Sequence, residues 1–534
     1  MRKLIHENHA LLLWLIAAIL LSLVGLVGMR WHSALYAYVV LVPIVIVGIH
    51  DALQSHHAVL RNFPVVGHFR YLFESIRPEI NQYFVESDND GVPFSREKRS
   101  IVYQRAKHAL DTIPFGTKHD VYAVGYEWLN HSIGAKQASS ELPRVMVGGD
   151  ACKHPYNASL LNVSAMSFGS LSPNAILALN KGARLGNFSH NTGEGGLSPY
   201  HLRHGGDLVW QIGTGYFGAR TAAGRFDPAK FAENAQRDSV KMIEIKPSQG
   251  AKPGHGGILP GRKVTAEIAA IRGVEMGKDV ISPPAHSAFS TPIGLLEFIA
   301  SLRDLSGGKP VGFKLCLGSG AEFFAICKAM LQTGILPDYI TVDGGEGGTG
   351  AAPPEFSNSI GTPLTEGLVF VHDALVGCDL REKIRVIASG KVVSGFHVAY
   401  RIALGADMIN SARSMMFALG CIQALRCNTN HCPVGIATQD PRLNKGLVVS
   451  DKALRVASYH RETLHGFNEV ISAAGYHSPR QLRREDIHRR ITGTEVCSYE
   501  EIFPTLQPGC FLGEQVPSRY ASAWKAAQAQ RFGV

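Results

Sequence analysis

Two long apolar runs open the chain. Residues 10–29 carry no charged side chain, and residues 33–49 form a second uncharged run. Each is about long enough to span the hydrocarbon core of a bilayer as a helix, the second only just. Arg2 and Lys3 precede the first run, Arg30 lies between the two, and further arginines follow from residue 61 onward. The positive-inside rule then predicts a transmembrane helical hairpin with both ends in the cytoplasm, so that the membrane is a partner.

A cleaved signal peptide and a buried soluble hairpin are the alternatives. A second apolar run follows the first, where a signal peptide would be followed by a cleavage site and the mature chain. Beyond the hairpin, residues 61–84 form a partly amphipathic helical pattern with aromatic and basic residues. Such a segment fits either the membrane surface or a helix that covers the bottom of the next domain.

From about residue 160, short β-branched runs alternate with helical patterns such as PNAILALNKGARLG and AEFFAICKAMLQTG. Eight strand–helix units over roughly 280 residues is the size of a (β/α)8 TIM barrel, an α/β fold. A doubly wound sheet is the alternative. The predicted strands are residues 162–168, 188–191, 208–212, 242–246, 311–315, 339–342, 385–388 and 407–410.

Four regions follow from these patterns. Residues 1–50 are the transmembrane hairpin, and residues 51–150 are a membrane-proximal, partly helical extension. Residues 151–445 are the barrel, and residues 446–534 form a helical C-terminal extension. Strand-like runs of the barrel end repeatedly in glycine, serine, asparagine or lysine, and such loops gather at the C-terminal face of a barrel, where active sites are built.

Composition narrows the function classes. The chain has 534 residues, of which 45% are apolar, enough for a large core, and its 56 glycines cluster in short loops that let backbone approach a phosphate or a flavin. Nine cysteines without regular pairing are not a secreted disulfide framework, which favours a reducing compartment. The net charge of +9 comes without a basic stripe interleaved with aromatics, so nucleic acid is not a predicted partner.

Three cysteines, Cys421, Cys427 and Cys432, lie in the run GCIQALRCNTNHCPVGIATQD. Soft sulfur ligands this close in a chain can converge on an iron–sulfur cluster or on zinc. Three cysteines without an obvious fourth suit a three-iron cluster better than a closed four-ligand zinc site. The alternative is three unrelated thiols, because free cysteine often packs as a small apolar residue.

The loops after the last two predicted strands each combine small residues with one cation. They contain Gly390 and Lys391 in the run ASGK, and Ala412 and Arg413 in the run NSAR. The corresponding loops of TIM barrels often bind phosphate, and the two cations add charge there. FMN, with its single phosphate, is the predicted ligand because a flavin can take two electrons as hydride and pass them singly to a cluster.

A G-x-G-x-x-G pattern at residues 345–350, with Gly345 and Gly347, also follows a predicted strand. A dinucleotide fingerprint should open a helix at once, whereas Pro353 and Pro354 follow here. We interpret the run as a barrel loop that wraps an anion. No NAD(P) site is apparent in the sequence.

Charged residues near strand ends are the candidate catalytic groups. Lys246 and Lys252, in IEIKPSQGAKPG, are placed to pair with substrate carboxylates, and Gln249 to orient the reacting centre. Lys314 lies in the apolar strand VGFKLCL, where a charge facing a barrel lumen needs a flavin or a carboxylate as its partner. Glu194, in NTGEGG, is a candidate proton donor or lysine partner. Each of these residues also fits a purely structural role.

Together these runs resemble the FMN-binding domain of glutamate synthase. The matching stretches are AMSFGSLS (165–172), NTGEGG (191–196), IEIKPSQGAKPGHGGILPGRKV (243–264), ISPPAH (281–286), DGGEGGTGAAP (343–353) and GCIQALRCNTNHCPVGIATQD (420–440). The resemblance covers residues 162–440 and extends to stand-alone, membrane-anchored members of the family. It implies a (β/α)8 barrel that holds FMN, with a 3Fe-4S cluster on the three cysteines. In the family reaction, ammonia and 2-oxoglutarate form an imine that reduced FMN converts to L-glutamate.

The resemblance also implies roles for individual residues. Met166 and Ser167 are expected to lie against the flavin ring, and Gln211 and Lys314 match positions that contact the flavin. The implied phosphate region is Gly390, Lys391, Ala412 and Arg413, and the implied substrate side is Lys246, Gln249 and Lys252. Electrons are expected to come through the cluster from an external donor such as ferredoxin or a reductase subunit.

The sequence departs from the family in three places. Glutamate synthases begin with a glutaminase domain, whereas this chain begins with the apolar hairpin, so a separate glutaminase is the expected ammonia source. Tyr216 stands where the family has an arginine, which is expected to weaken binding of a dicarboxylate, and Leu197 stands where an acidic residue is expected. Two alternatives stay open: an amine or 2-hydroxy acid dehydrogenase that feeds electrons to the membrane, and a non-catalytic electron-relay or scaffold subunit.

Overall fold

The structure, a computed structural model, describes residues 9–513 and 516–533, with side chains from residue 14 onward. The chain divides into two compact units, Met1–Arg96 and Glu97–Val534. The first unit is helical. Its helices are α1 (His9–Arg30), α2 (Tyr38–Leu53), α3 (Ala58–Asn62) and α4 (Gly67–Ile80).

Helices α1 and α2 pack against each other as an antiparallel pair. The Tyr38 hydroxyl donates a hydrogen bond of 2.8 Å to the Leu21 carbonyl, and a Cβ on Gly48 would lie 3.4 Å from the Trp14 ring. Residues His32–Leu53 are long and apolar enough to cross a membrane, judged by length and composition, while Trp14–Arg30 is a shorter apolar helix. Arg2 and Lys3, on which the predicted orientation depends, lie outside the described residues.

The second unit contains a closed eight-stranded parallel barrel, which confirms the predicted TIM-barrel fold. Strands run in the order of the chain around the barrel, and each pairs in parallel with its neighbours. All eight predicted strands are present, but the first ends earlier than predicted. The barrel strands are β4 (Leu161–Val163), β5 (His190–Asn191), β6 (Leu208–Ile212), β7 (Val240–Ile245), β10 (Val311–Leu315), β11 (Tyr339–Asp343), β12 (Arg385–Ser389) and β13 (Met408–Ser411).

Several helices of this unit begin with a polar cap followed by proline. Ser172 accepts a hydrogen bond from the Ala175 amide ahead of one helix, and Thr291 accepts one from the Gly294 amide ahead of another. Proline at the next position lacks the amide that would have no partner there. The helices are α5 (Arg96–Ala106), α6 (Pro173–Gly186), α7 (Pro199–Leu202), α8 (Pro228–Ala235), α9 (Ala266–Arg272), α10 (Pro292–Leu305), α11 (Gly320–Thr333), α12 (Pro354–Ser359), α13 (Leu364–Gly377), α14 (Gly395–Ala403), α15 (Arg413–Leu419), α16 (Pro441–Asn444), α17 (Val449–Ala473), α18 (Tyr499–Ile502) and α19 (Ser518–Ala526).

An antiparallel hairpin, β2 (Arg144–Val147) with β3 (Tyr156–Ser159), closes the N-terminal end of the barrel. Its buried side chains form one apolar cluster with residues from five barrel strands. That cluster consists of Val147, Tyr156, Ala158, Val209, Met242, Tyr339, Ile387 and Met408. Because this end is filled by apolar side chains, the chemistry of the lumen is confined to the opposite, C-terminal end.

The long segment between β7 and β10 lies over that C-terminal end. It contains a short antiparallel pair, β8 (Ile258–Leu259) with β9 (Val280–Ile281), and helix α9 between the two strands. The last residue of α9, Arg272, is buried and donates a hydrogen bond of 2.9 Å to the Phe168 carbonyl in the loop after β4. The segment therefore brings a guanidinium to the barrel mouth.

The C-terminal extension packs on the barrel. Helix α17 lies against α6 so closely that a Cβ on Gly182 would come within 2.7 Å of Val456. The Tyr459 hydroxyl, also on α17, donates to the Val393 carbonyl. A three-stranded antiparallel sheet completes the unit: β1 (Glu127–Leu129), β14 (Ile487–Arg490) and β15 (Val496–Ser498).

Candidate active site

A buried carboxylate, Glu244 on β7, occupies the lumen. One of its oxygens accepts hydrogen bonds from Asn191 (2.8 Å) and Gln211 (2.7 Å), and the other accepts one from the Thr341 hydroxyl (2.7 Å). Gln211, expected at the flavin, thus directs its amide nitrogen to Glu244. Three donors from three different strands thus converge on this one carboxylate and fix the position of each strand end.

Lys314 and Asp343 form an ion pair in the lumen, nearer the C-terminal end of the barrel than Glu244. The Lys314 Nζ lies 3.1 Å from Asp343 Oδ2, and both side chains are buried. Burial opposes the charged ammonium, but the carboxylates of Asp343 and Glu244 outweigh it and raise the pKa of Lys314. Asp343 Oδ2 also accepts a hydrogen bond from the Gly250 amide (2.9 Å). The lumen lysine that the sequence singled out therefore has a protein carboxylate as its partner.

The loop after β7 brings the predicted substrate-side residues together. Lys246 Nζ lies 2.7 Å from Glu194 Oε2 and donates to Gln249 Oε1 at 3.0 Å. Lys252 donates to the Ala351 carbonyl at 2.7 Å. Burial would raise the pKa of Glu194, but Lys246, Lys252 and Arg272 lower it below the ordinary value. Glu194 is therefore ionised and acts as a lysine partner, one of its two predicted roles.

In this cluster, Lys252 has a pKa close to neutral pH. Burial lowers its pKa to about 8, with Lys246 acting in the same direction and Glu194 against it. Burial likewise lowers the pKa of Arg272 to about 10, opposed by Glu194. Both side chains are almost fully inaccessible. At neutral pH each carries its charge in an environment that favours an anionic ligand.

Met166 and Ser167 lie in the loop after β4, in contact with the Gly193 turn. A Cβ on Gly193 would come within 2.7 Å of the Ser167 amide nitrogen, so only glycine fits that approach, and its φ of +64° also favours glycine. The Ser167 hydroxyl donates to Ser170, and Arg272 lies 3.4 Å from it. The predicted flavin-facing residues thus lie beside the cationic cluster.

The predicted phosphate region is assembled from the loops after β11, β12 and β13. Arg413 donates to the Glu346 carbonyl (2.7 Å), and a Cβ on Gly348 would lie 2.8 Å from the Arg413 side chain. Partial burial and then Arg413 lower the pKa of Lys391, so the two cations lie close to one another. Lys391 adopts a φ of +30°, rare outside glycine, and such backbone conformations are concentrated at ligand sites. The site therefore offers two neighbouring cations on tightly folded loops.

The glycine loop that we interpreted as anion-binding is folded on itself. The Gly345 amide donates to the Thr362 carbonyl and the Gly347 amide to the Gly344 carbonyl, each at 2.8 Å. These two amides are therefore used within the protein. Gly390 and Ala412 lie next to the two cations of the phosphate region, where small residues leave room for a ligand.

The three-cysteine loop is anchored to the barrel mouth. Gln439 donates to the Gly169 and Leu171 carbonyls (3.0 and 2.8 Å), and Ser172 donates to the Gly435 carbonyl (2.7 Å). The backbone of the loop is turned sharply, with positive φ at three non-glycine residues, Gln423, Leu425 and Asn430. The cysteine loop therefore lies against the loop that carries Met166 and Ser167.

The three thiols interact electrostatically. Burial, with smaller contributions from Cys427 and Cys432, raises the pKa of Cys421 to about 12. The pKa of Cys427 is raised by burial and by Cys432. Within residues 9–513 and 516–533, no three His, Cys, Asp or Glu side chains are arranged to hold a metal ion. Thiols that bind a cluster each ligate a different iron, so they surround a volume instead of one point.

Tyr216 and His286 form a buried pair that the sequence did not predict. The Ala288 amide donates to the Tyr216 hydroxyl at 3.0 Å, and His286 Nδ1 lies 3.1 Å from the same oxygen. The other ring nitrogen of His286 lies 3.1 Å from the Lys246 carbonyl. The Tyr216 hydroxyl is therefore bonded within the protein, and His286 links it to the backbone at Lys246.

Three further residues of the site were not among the predicted ones: Glu244, Asp343 and Arg272. Glu244 carried a signal, because a carboxylate in the apolar strand VKMIEI needs a buried partner just as Lys314 does. Asp343 lies at the start of a quoted motif, but its pairing with Lys314 is a property of the fold. Arg272 ends an ordinary amphipathic helix, and its sequence context gave no indication of the site.

These features define the class: a TIM-barrel protein whose C-terminal face carries a buried cationic cluster, a two-cation loop site and a three-cysteine loop. A family described as conserved region in glutamate synthase matches residues 139–477. The chain is 38% identical over 493 residues to glutamate synthase large subunit-like protein YerD of Bacillus subtilis, which covers 84% of this chain and 93% of that protein. It is 37% identical over 322 residues to archaeal glutamate synthase (NADPH) of Methanocaldococcus jannaschii, 60% of each chain.

The chain belongs to the glutamate synthase family and is an oxidoreductase of that type. The predicted family resemblance is thereby confirmed, with the match extending to either side of residues 162–440. Among solved structures, a mandelate oxidase with (S)-2-phenylpropionate aligns over 72% of this chain and 96% of its own, with a TM-score of 0.41 and 14% identity. Similarity at that level says nothing of the chemistry.

Proposed function

We propose that this chain is a membrane-anchored glutamate synthase-like oxidoreductase that uses FMN and a 3Fe-4S cluster to reduce the imine of 2-oxoglutarate and ammonia to L-glutamate. The overall conversion consumes one 2-oxoglutarate, one ammonium, two electrons and two protons, and releases glutamate and water. The catalytic unit lies on the cytoplasmic side, held by the α1–α2 hairpin. An external donor such as ferredoxin or a reductase subunit supplies electrons, and a separate glutaminase supplies ammonia.

The observation that carries the proposal is the charge balance at the barrel mouth. Lys246, Lys252 and Arg272 all act on the single carboxylate of Glu194. Three positive groups facing one negative group leave an excess of two positive charges. A dicarboxylate substrate supplies two negative charges, and guanidinium and ammonium groups pair well with carboxylates. Arg272 thus offers a guanidinium to this site even though Tyr216 replaces the arginine expected in the TGYFG run.

The residues at the C-terminal face fit FMN. Lys391 and Arg413, close enough to repel each other, would hold the phosphate, and the small residues Gly390 and Ala412 leave room beside them. Met166, Ser167 and Lys314 would line the ring. Bound FMN supplies a hydride for transfer to the imine carbon.

The chain's own side chains orient and protonate the substrate. Lys246, fixed by Glu194 and Gln249, is positioned to bind one substrate carboxylate. Lys252, with a pKa of about 8, is protonated at neutral pH, where its ammonium form can bind a substrate carboxylate and can also give up a proton. Glu194 stays ionised and keeps Lys246 in place.

A 3Fe-4S cluster would be held by Cys421, Cys427 and Cys432, with one thiolate on each of its three irons. Cys427 and Cys432 both help to raise the pKa of Cys421, and the same two thiols act on the buried ammonium of Lys263. The loop that carries them is hydrogen-bonded to residues 169–172 beside the proposed flavin site. A cluster held by these cysteines would therefore lie close to the residues that would line the flavin ring and could pass electrons to it.

The test is an anaerobic half-reaction. The full chain, purified in detergent and reduced with dithionite, is mixed with 2-oxoglutarate and ammonium, and flavin absorbance and glutamate are followed together. We expect the flavin band to return only when both substrates are present, with glutamate formed in proportion. Reoxidation without glutamate, or bleaching of the oxidised flavin by an amine or a 2-hydroxy acid, would favour the dehydrogenase alternative. Failure to find FMN after reconstitution would contradict the proposal outright.

Affinity for 2-oxoglutarate should depend on pH through Lys252. Its ammonium form binds the carboxylate and predominates below a pKa of about 8, so KM should stay level below that pH and rise above it. In Lys252→Met, KM should be at least about tenfold higher at neutral pH, the loss of about 1.4 kcal/mol or more from one charged hydrogen bond, and the rise near pH 8 should vanish. Lys278→Met, at an exposed pair with Glu275, is the matched control. An unchanged pH profile in Lys252→Met would exclude this role.

A further inference from the structure

Helix α4 and the turn after it carry an uncovered apolar face. Its apolar residues recur at intervals of three and four positions, with two of them adjacent, so they share one side of the helix. Each is between 38% and 60% exposed, and the neighbouring Phe84 is 84% exposed. Monomeric soluble proteins rarely leave a continuous apolar patch of this kind uncovered. The residues, here called the apolar stripe, are Phe69, Leu72, Phe73, Ile76, Ile80 and Tyr83.

The start of α4 is fixed to the end of α2. Asp51, buried in the last turn of α2, accepts a hydrogen bond from the Val65 amide (2.9 Å) and bonds His68 Nε2 with both oxygens (2.9 and 3.0 Å). Val65 has a φ of +63°, which turns the chain back at this point. A Cβ on Gly67 would lie 3.2 Å from the backbone of Leu60, so α3 and α4 cross in close contact. The stripe therefore begins next to the cytoplasmic end of the apolar hairpin.

The other side of α4 is polar. Arg70 forms an i,i+4 ion pair with Glu74 at 3.0 Å. At 100° per residue, Arg70 and Arg77 both fall along one edge of the stripe. Long arginine side chains at such an edge can lay their methylenes on an apolar surface and keep the guanidinium in water. An apolar face bordered by arginine is the pattern of a helix that lies in a membrane interface.

We propose that the apolar stripe of α4 lies in the lipid–water interface of the bilayer that the α1–α2 hairpin crosses. This inference rests on the proposed membrane insertion of that hairpin. Leu53, the last residue of α2, is itself 78% exposed, so exposed apolar surface is also present at the end of the hairpin to which α4 is fixed. The Asp51 clamp sets the depth, since it holds the first turn of α4 at the level where α2 leaves the hydrocarbon core. The partner is the lipid surface, and the stripe has the spacing to meet it along its whole length.

The experiment uses the full chain in phosphatidylcholine–phosphatidylglycerol vesicles. A lipid-soluble diazirine is photolysed in the vesicles, and labelled residues are mapped by mass spectrometry. We expect label on the stripe as well as on α2, and background label on Leu331 and Leu454, exposed apolar residues of the second unit. The variant Phe69→Ser/Phe73→Ser should lose label from residues 69–85 to background, while Glu74→Ser, on the polar side, should keep it.

Two results would overturn the inference in different ways. Label on α2 with none on the stripe would leave the hairpin in the membrane and place α4 in water. Label on neither would remove the membrane insertion itself. Protection of the stripe together with a dimer that Phe69→Ser/Phe73→Ser dissociates, measured by light scattering in detergent, would assign the face to a second copy of the chain instead.

Discussion

Replacing Lys314 by methionine is expected to destabilise the folded protein by about 3–5 kcal/mol, the usual cost of leaving a buried charge without its partner. Lys314 Nζ lies 3.1 Å from Asp343 Oδ2, and Glu244 adds a second carboxylate within its field. Methionine matches the length of the side chain but provides no charge, so two carboxylates would face each other across the lumen. Denaturation of the detergent-solubilised protein, followed by circular dichroism, measures the loss.

Two controls separate the ion pair from general damage to the lumen. Lys314→Met/Asp343→Asn removes both charges of the pair and should recover a large part of the lost stability, because Asp343 is no longer a buried carboxylate without its lysine and Glu244 keeps its three hydrogen-bond donors. Lys241→Met, from the half-exposed pair with Asp207, should cost no more than about 1 kcal/mol. If Lys314→Met lowers the free energy of unfolding no more than Lys241→Met does, water reaches the lumen more readily than the structure indicates. The account of this ion pair would then be wrong.

The difference in folding stability between wild type and Lys314→Met should change with pH in one direction only. The folded protein holds Lys314 with a pKa raised above its ordinary value of 10.5. Stability from the pair is therefore complete below the unfolded pKa and is lost as pH rises through the folded one. The difference between wild type and Lys314→Met should stay level across neutral pH and shrink only above about pH 10.5.

The barrel could be predicted from sequence because each strand is a short β-branched run between helical patterns, and each strand finds its place through its neighbours in the chain. The end of the first strand could not be predicted in this way. Residues 164–168 are apolar enough to continue β4, but the Gly193 turn packs against Met166 and Ser167 and takes the chain out of the sheet. A constraint of that kind arises from another segment, and no local pattern records it.

The residues of the candidate site could likewise be predicted only in part. Lys314 was recognisable because a charge in an apolar strand demands a partner, and Glu244 obeys the same rule on β7. The identity of the partners was not recognisable, since Asp343 and Thr341 reach these charges only after the barrel closes. Arg272 could not be recognised from the sequence at all. It arrives from a helix inserted after β7, and its role depends on where that helix is placed.

Tyr216 shows why a substituted residue has to be judged together with the residues that surround it. The loss of an arginine at this position suggested a weaker dicarboxylate site. In the fold, Tyr216 bonds His286 and the Ala288 amide behind the Lys246 loop, while Arg272 supplies a buried guanidinium nearby. The cationic character of the mouth is therefore a property of the whole cluster and survives the substitution.

Serine in place of Cys421, Cys427 or Cys432 is expected to remove the cluster while leaving the flavin bound. In the proposed cluster each thiolate would ligate a different iron, so loss of one would open the cluster, and iron should fall from about three per chain to below one. The low-temperature EPR signal of an oxidised three-iron cluster should vanish with it. Glutamate formation driven by a protein donor should be abolished, whereas dithionite, which reduces the flavin directly, should still support it.

Cys497→Ser is the matched control, because Cys497 is a part-exposed thiol in the small C-terminal sheet, remote in sequence from the cysteine loop. It should keep its iron, its EPR signal and its donor-driven activity. Equal loss of iron in Cys497→Ser would mean that the metal is not specific to the predicted loop. If the three loop variants keep wild-type iron and signal, the cysteines are structural thiols. If they lose FMN as well, the contacts of the loop with residues 169–172 stabilise the flavin site, and the cluster and flavin must be tested separately by reconstitution.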